Sequence, residues 1–146
     1  MARYRTTVRT DRPPSDAFAF MADLRNFEQW DPGVRRATQV DGDGGGPDAS
    51  FDVVVDAPGD GLTLRYETTD YDAPRRVVVR AESKMFTSLD LIEVEADGDG
   101  SLVTYDAELQ LNGPLGLFDL ILRPVFDRIG RRADDGLQQA LDGVKV

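Results

Sequence analysis

Residues 103–144 read VTYDAELQLNGPLGLFDLILRPVFDRIGRRADDGLQQALDGV, and the spacing of apolar residues changes partway along them. Up to Leu111 the period is two. Val103, Tyr105, Ala107, Leu109 and Leu111 alternate with Thr104, Asp106, Glu108 and Gln110, as in a strand with one buried face. Asn112-Gly113-Pro114 breaks the chain. Beyond it the period is that of a helix running from about Pro114 to Val144. Phe118, Ile121 and Leu122, Val125, Ile129, Ala133, Leu137, Ala140 and Leu141, and Val144 form its apolar stripe. Asp119, Arg123, Asp127 and Arg131 lie opposite at i,i+4 spacing with alternating sign. Pro124 cannot donate to the Leu120 carbonyl and its ring clashes with it, so a kink near Pro124 is expected.

Upstream, six more segments carry the strand period: residues 3–10, 34–40, 51–55, 62–69, 77–82 and about 86–96. Pro13-Pro14 ends the first. Ser15 or Asp16 can cap a short helix over Ala17 to Ala22, and Asp23 can cap a second through Phe27 and Gln29. Trp30-Asp31-Pro32-Gly33, Ala57-Pro58-Gly59-Asp60-Gly61, Asp72-Ala73-Pro74 and Asp97-Gly98-Asp99-Gly100 are turns. Residues 41–48, DGDGGGPD, read as a flexible acidic loop. The order specifies an α+β fold. A seven-stranded curved antiparallel sheet carries two short helices and grips one long C-terminal helix kinked near Pro124.

The chain of 146 residues is expected to form one domain, 1–146, long enough to bury roughly 70% of its unfolded surface. It contains no His and no Cys, which removes disulfides and the common zinc, copper and non-haem iron sites. No cofactor is expected. The net charge of −10 is spread along the chain and argues against nucleic acid, which needs a basic stripe. Lysine occurs only at Lys84 and Lys145, a composition that suits a GC-rich genome or a salt-adapted cytoplasm. Met1-Ala2-Arg3-Tyr4-Arg5 leads into a strand, with no apolar stretch of a signal peptide. The most apolar run, Leu115 to Ile129, carries Asp119, Arg123, Asp127 and Arg128 and is too short and too charged for stable membrane insertion. A cytoplasmic protein is the expectation.

Several stretches resemble the polyketide cyclase/dehydrase branch of the START-related (SRPBCC) superfamily. They are Arg12-Pro13-Pro14-Ser15-Asp16-Ala17-Phe18, Trp30-Asp31-Pro32-Gly33-Val34, Tyr71-Asp72-Ala73-Pro74-Arg75-Arg76, Asp97-Gly98-Asp99-Gly100-Ser101 with Val103-Thr104-Tyr105, and Asn112-Gly113-Pro114. The resemblance covers essentially the whole chain, and its motifs are turn and packing features. It implies a helix-grip fold with a deep apolar cavity between sheet and long helix. It also implies a place among lipid carriers, hormone receptors, plant pathogenesis proteins and aromatic polyketide cyclases. Strand parity then nominates Phe51, Val53, Leu64, Tyr66, Val79, Tyr105 and Leu109 to line that cavity, with Phe118, Leu122 and Phe126 contributed by the long helix and Trp30 either packing the short helices onto the sheet or standing at the cavity mouth. The partner would be a small hydrophobic molecule: a lipid, a polyketide or an aromatic compound.

Catalytic chemistry is thinly represented. The serines have no His base. Asp41-Gly42-Asp43-Gly44-Gly45-Gly46 partly mimics a calcium loop, but its fifth position, Gly45, offers no side-chain oxygen and no helices flank it, so no metal site is assigned. Acid–base work by Asp90, Tyr66 or Tyr105 remains. Asp90 has two readings. If Ile92 and Val94 face inward, Ser88 and Asp90 do too; if Leu89 and Leu91 do, Asp90 faces solvent. Three functions stay open at this point: hydrophobic-ligand binding, a cofactor-independent cyclase or dehydratase, and an acidic protein-interaction or chaperone-like module. For a cavity protein, Leu115 to Leu122 flanked by Gly113 and Gly116, together with the 41–48 loop, are the expected gates.

Overall fold

The computed structural model describes residues 2–56, 59–83, 86–111 and 133–146. The elements run β1 (Ala2–Thr10), α1 (Pro14–Ala22), a 3₁₀ turn (Leu24–Asn26), α2 (Phe27–Trp30), β2 (Val34–Asp41), β3 (Ser50–Val55), β4 (Leu62–Asp72), β5 (Arg76–Glu82), β6 (Phe86–Asp97), β7 (Gly100–Leu111) and β8 (Gly143–Lys145). A helical segment at 133–140 precedes β8. The strands form one sheet in the order β2-β3-β4-β5-β6-β7-β1-β8, every neighbouring pair antiparallel. Register shifts in the β2–β3 and β4–β5 pairs bend the sheet, because an extra residue on one strand turns the ladder. The architecture is the α+β helix-grip fold.

The alternation read in the sequence is the alternation of burial. Along β7 the side chains of Val103, Tyr105 and Ala107 are buried, and along β5 those of Val77, Val79 and Ala81. β6 places Ser88, Asp90, Ile92 and Val94 on the same buried face and leaves Leu89 and Leu91 partly exposed on the other. Of the two registers open for β6, the structure takes the one with Asp90 inside. The inner face is covered by α1, through Ala17, Phe18, Met21 and Ala22, by Leu24, Phe27 and Trp30, and by Leu137 and Leu141. Each large side chain fully withdrawn from water here contributes roughly 1.5–3 kcal/mol.

Three expectations are corrected. The first concerns the chain end. The helix was expected to reach Val144, but it ends at residue 140, and Asp142 takes a left-handed φ of 51°. Gly143, Val144 and Lys145 then pair with Thr10, Arg9 and Val8 as an eighth strand, and Val144 is 69% exposed instead of lying on the apolar stripe. β1 would otherwise present an open ladder, and pairing satisfies it. Gly143 is required there, since a Cβ would sit 2.3 Å from the Arg9 carbonyl oxygen.

The second concerns α1, which begins at Pro14 with no side-chain cap. Proline at the first turn has its φ preset and no N–H to satisfy, so neither Ser15 nor Asp16 is needed as a cap. The third concerns the 41–48 loop, which is tied down and not structureless. The Gln39 amide donates to the carbonyls of Asp41 (3.0 Å) and Gly44 (2.9 Å) and accepts from the Gly44 N–H (2.8 Å). The kink near Pro124, the leading piece from Leu115 to Leu122, and Phe118, Leu122 and Phe126 lie outside the described residues.

Candidate functional site

The buried face of β6 and β7 carries a line of polar side chains in an otherwise apolar surface. In the β6–β7 register Asp90 faces Ala107 and Ile92 faces Tyr105, so Tyr105 is the diagonal neighbour of Asp90. Its hydroxyl donates to Asp90 Oδ2 at 2.7 Å. On the other side Ser88 Oγ donates to Asp90 Oδ1 at 3.4 Å, and Tyr66 Oη lies 2.8 Å from Ser88 Oγ. Asp90 is 2% exposed, and Tyr66, Ser88 and Tyr105 are buried with it. The result is a row, Tyr66–Ser88–Asp90–Tyr105, spanning β4, β6 and β7. No Arg or Lys among the described residues is buried beside it.

The electrostatics follow from that placement. Burial pushes the Asp90 carboxyl up to about 7; the Tyr105 hydrogen bond opposes the rise and the nearby Asp31 carboxylate adds to it. The Tyr105 and Tyr66 hydroxyls are pushed well above their ordinary range, first by burial and then by the charge of Asp90. Both tyrosines therefore stay protonated and act as donors. Asp90 is the member of the row that can exchange a proton near neutral pH. Asp31, at the end of α2, is also raised by burial, although it accepts the Gly33 N–H at 2.9 Å.

An aromatic cluster lies against the row. Trp30 meets Tyr105 edge-on with centroids 5.0 Å apart and Phe27 at 4.9 Å; Phe27 also reaches Tyr105 at 6.3 Å. Trp30 is 2% exposed, yet its indole Nε1–H has no hydrogen-bond partner among the described residues. A buried donor left unmade costs about 1–3 kcal/mol, so the position calls for an acceptor. The terminal helix closes directly on this point. A Cβ on Gly136 would lie 1.8 Å from the Trp30 carbonyl oxygen, so glycine is what permits the approach. Between α2 and that helix is a surface cleft of about 370 Å³ lined by Glu28, Gln29, Trp30, Asp31, Pro32, Asp135, Gly136 and Gln139.

Of the residues nominated from sequence, Phe51, Val53, Leu64, Tyr66, Val79 and Tyr105 are buried on the inner face together with Trp30, and Leu109 is half-buried beside them. The sequence reading missed Asp31, taken only as part of a turn, and Phe27. It also missed a second polar node beneath the helix. Asp134, 4% exposed, is paired with Lys145 Nζ at 2.8 Å, while its Oδ1 and the hydroxyls of Tyr4 and Thr6 face one another without completing a hydrogen bond. Burial works to raise the Asp134 carboxyl, but Lys145, Thr6 and Tyr4 outweigh it and hold it below its usual range. The signal was present, because Asp134 sits three and seven residues before Leu137 and Leu141, on the apolar stripe.

Among solved structures the chain is similar to a START superfamily protein from Mycobacterium smegmatis, at 10% identity with a TM-score of 0.76 over 97% of this chain and 98% of that one. It is similar to the di-domain ARO/CYC protein StfQ of the steffimycin biosynthetic pathway, at 12% identity and a TM-score of 0.69 over 97% of this chain and 50% of that one. It also matches a major latex-like protein of Panax ginseng, at 12% identity and a TM-score of 0.58 over 90% and 97% of the two chains. At these identities the likeness is one of fold. No curated protein matches the chain. Among the described residues no helix is long and apolar enough to cross a membrane. The family model for polyketide cyclase / dehydrase and lipid transport proteins matches residues 1–142, and the chain belongs to that family.

Proposed function

We propose that the protein binds a small hydrophobic ligand, a lipid, polyketide or aromatic molecule, in an internal cavity between the sheet and the C-terminal helix. The observation that carries this reading is the unpartnered indole N–H of Trp30, buried against Tyr105 and next to the Asp90 row. Apolar walls with a few convergent polar groups are the usual make-up of a small-molecule site. Phe51, Val53, Leu64 and Val79 supply the walls, and Trp30, Asp90 and Tyr105 the polar groups. At roughly 25 cal/mol per Å² of apolar area, an enclosed ligand reaches micromolar affinity without special chemistry. Two experiments test it. Native mass spectrometry of gently purified protein should reveal a co-purified hydrophobic molecule, and a hydrophobic fluorophore should bind and be displaced by lipids or aromatics. Leu109→Trp, at the half-buried edge of the apolar face, should weaken fluorophore binding at least about tenfold while the fold survives. Unchanged binding in that variant would move the site elsewhere.

A second reading is favoured by one feature, the Asp90 carboxyl held at about 7 beside a donor tyrosine. On this reading the protein is a cofactor-independent cyclase or dehydratase. The Asp90 carboxylate would take the proton α to a substrate carbonyl. The resulting acid would return it to a β-hydroxyl as that group leaves as water, which restores the carboxylate that accepts the Tyr105 hydroxyl. Turnover of a cyclisable β-hydroxy ketone that disappears in Asp90→Asn supports it; turnover that survives Asp90→Asn, Tyr66→Phe and Tyr105→Phe would remove it.

A further inference from the structure

The polar groups on the inner face are matched to one kind of ligand head. Asp90 is a fully buried carboxylate, and the half-buried carboxylate of Asp31, directly after Trp30, adds to the rise of its carboxyl. The hydroxyls that could receive an anion are already committed, Tyr105 to Asp90 and Tyr66 to Ser88. Among the described residues the unpartnered buried donors are all neutral, the Trp30 N–H and the hydroxyls of Thr6 and Tyr4, the latter two beside the Asp134 carboxylate. The cleft beside Trp30 repeats the pattern among the described residues, since Glu28, Asp31 and Asp135 line it and no described Arg or Lys does. Five basic side chains of the sheet, Arg3, Arg9, Arg65, Arg76 and Arg80, are exposed and paired to acidic partners. Lys145 is bound to Asp134.

On the reading that this interior holds an apolar ligand, we infer that it selects molecules whose polar group is an uncharged hydroxyl or carbonyl and turns away those carrying a carboxylate or another anion. A carboxylate brought here would meet Asp90 and Asp31 with only neutral donors, and no buried Arg or Lys among the described residues, to receive it. A buried carboxylate needs several hydrogen bonds or a cation, and like charges disfavour each other. A neutral hydroxyl suits both kinds of group, since its oxygen accepts from an N–H such as that of Trp30 and its hydrogen donates to a carboxylate such as Asp90. The same neighbours control how the selection responds to pH. Among the described residues the polar groups around Asp90 are Tyr105 on β7, Tyr66 on β4, Ser88 on β6 itself and Asp31 after α2, while β5 presents Val79 and Ala81 and α1 presents Phe18 and Met21. Asp106 acts on it from the opposite face. As pH falls through the Asp90 range its charge is lost, and the barrier to an anion falls with it.

The test uses 2-naphthol and 2-naphthoate, which share an apolar body and differ in the charge of the head, titrated calorimetrically into the intact protein. Near pH 8 the naphthol should bind at least about tenfold more tightly than the naphthoate. The naphthoate should gain at least about threefold on lowering the pH to near 6, where it is still ionised. Asp90→Asn should narrow the naphthol-to-naphthoate gap by at least about fivefold and abolish that gain. Naphthoate binding as tightly as naphthol in the unaltered protein overturns the inference, and so does a gap unchanged by Asp90→Asn. The pH series needs no variant, so misfolding of Asp90→Asn leaves the idea exposed to failure. Binding of neither probe, with no uptake of a larger hydrophobic fluorophore, removes the interior site itself and this inference with it.

Discussion

Two buried carboxylates stand on the same pair of strands and are treated in opposite ways. Asp106 on β7 points to the outer face, is 5% exposed, and is held by Arg3, whose Nε and Nη2 reach its two oxygens at 3.0 and 2.6 Å. Asp90 on β6 points to the inner face, is 2% exposed, and has hydroxyl neighbours. A buried carboxylate with a bidentate guanidinium is a structural clamp between β1 and β7. A buried carboxylate given hydroxyls and no cation spends part of its time protonated, costs stability as an anion, and can act on whatever reaches it. On the outer face Asp106 finds its cation in Arg3, and on the inner face, among the described residues, Asp90 has no cation and the Trp30 N–H no acceptor.

The largest effect should come from breaking the closure over the inner face. Gly136→Ala places a methyl group against the Trp30 backbone, so the helix must lift. A loss of roughly 3 kcal/mol in chemical denaturation is expected, with Trp30 fluorescence shifted toward that of an exposed indole. A neutral outcome would mean that the helix does not bear on α2.

Next in size is the pH dependence of stability. The folded Asp90 carboxyl titrates at about 7, above its unfolded value, so the folded state holds a proton that the unfolded state releases. Its unfavourable contribution is therefore absent below the ordinary carboxylate range and grows as pH rises toward 7. Asp90→Asn should raise stability near pH 8 by on the order of 2 kcal/mol and change it little near pH 4. Asp106→Asn should do the reverse near neutral pH, lowering stability by removing the acceptor of Arg3. The same sign for both variants near pH 8 would break the comparison.

A smaller effect is expected from Tyr105→Phe. It removes the donor that favours the Asp90 carboxylate, so the Asp90 titration, followed by carboxyl carbon NMR, should move upward. The loss of one charge-assisted hydrogen bond amounts to about 1–3 kcal/mol between the two protonation states. A downward shift would show that burial, relieved by the substitution, outweighs the bond. The smallest effect belongs to the exposed outer pairs. Arg9–Asp97, at 2.7 Å with both side chains well exposed, should shift Tm by less than about 2 °C when Asp97 becomes Asn, and less still in high salt.

Much of the fold was legible because period two and the helical period are written side by side in residues 103–144. β8 was not, since Gly143-Val144-Lys145 carries no pattern and becomes a strand because β1 offers an unpaired ladder. The candidate site was half legible. Tyr66 and Tyr105 followed from parity. Asp90 did not, because β6 has apolar residues on both faces, Leu89 and Leu91 against Ile92 and Val94, and the burial of its other face decided between them. Asp31 was hidden in a turn, and Asp134 in a pair of acidic residues of which one happens to lie on the apolar stripe.

By itself, then, the sequence determined the order of elements, the inward set of each unambiguous strand and the exclusion of thiol, imidazole and common transition-metal chemistry. Local spacing and residue type carry that information. The tertiary structure alone decided which way Asp90 points, that its partners would be the hydroxyls of Tyr105 and Ser88, and that the Trp30 N–H would be buried with no acceptor among the described residues. Those are properties of groups brought together from β4, α2, β6 and β7. The desolvation that sets their chemistry exists only once the sheet, α2 and the terminal helix have closed over them.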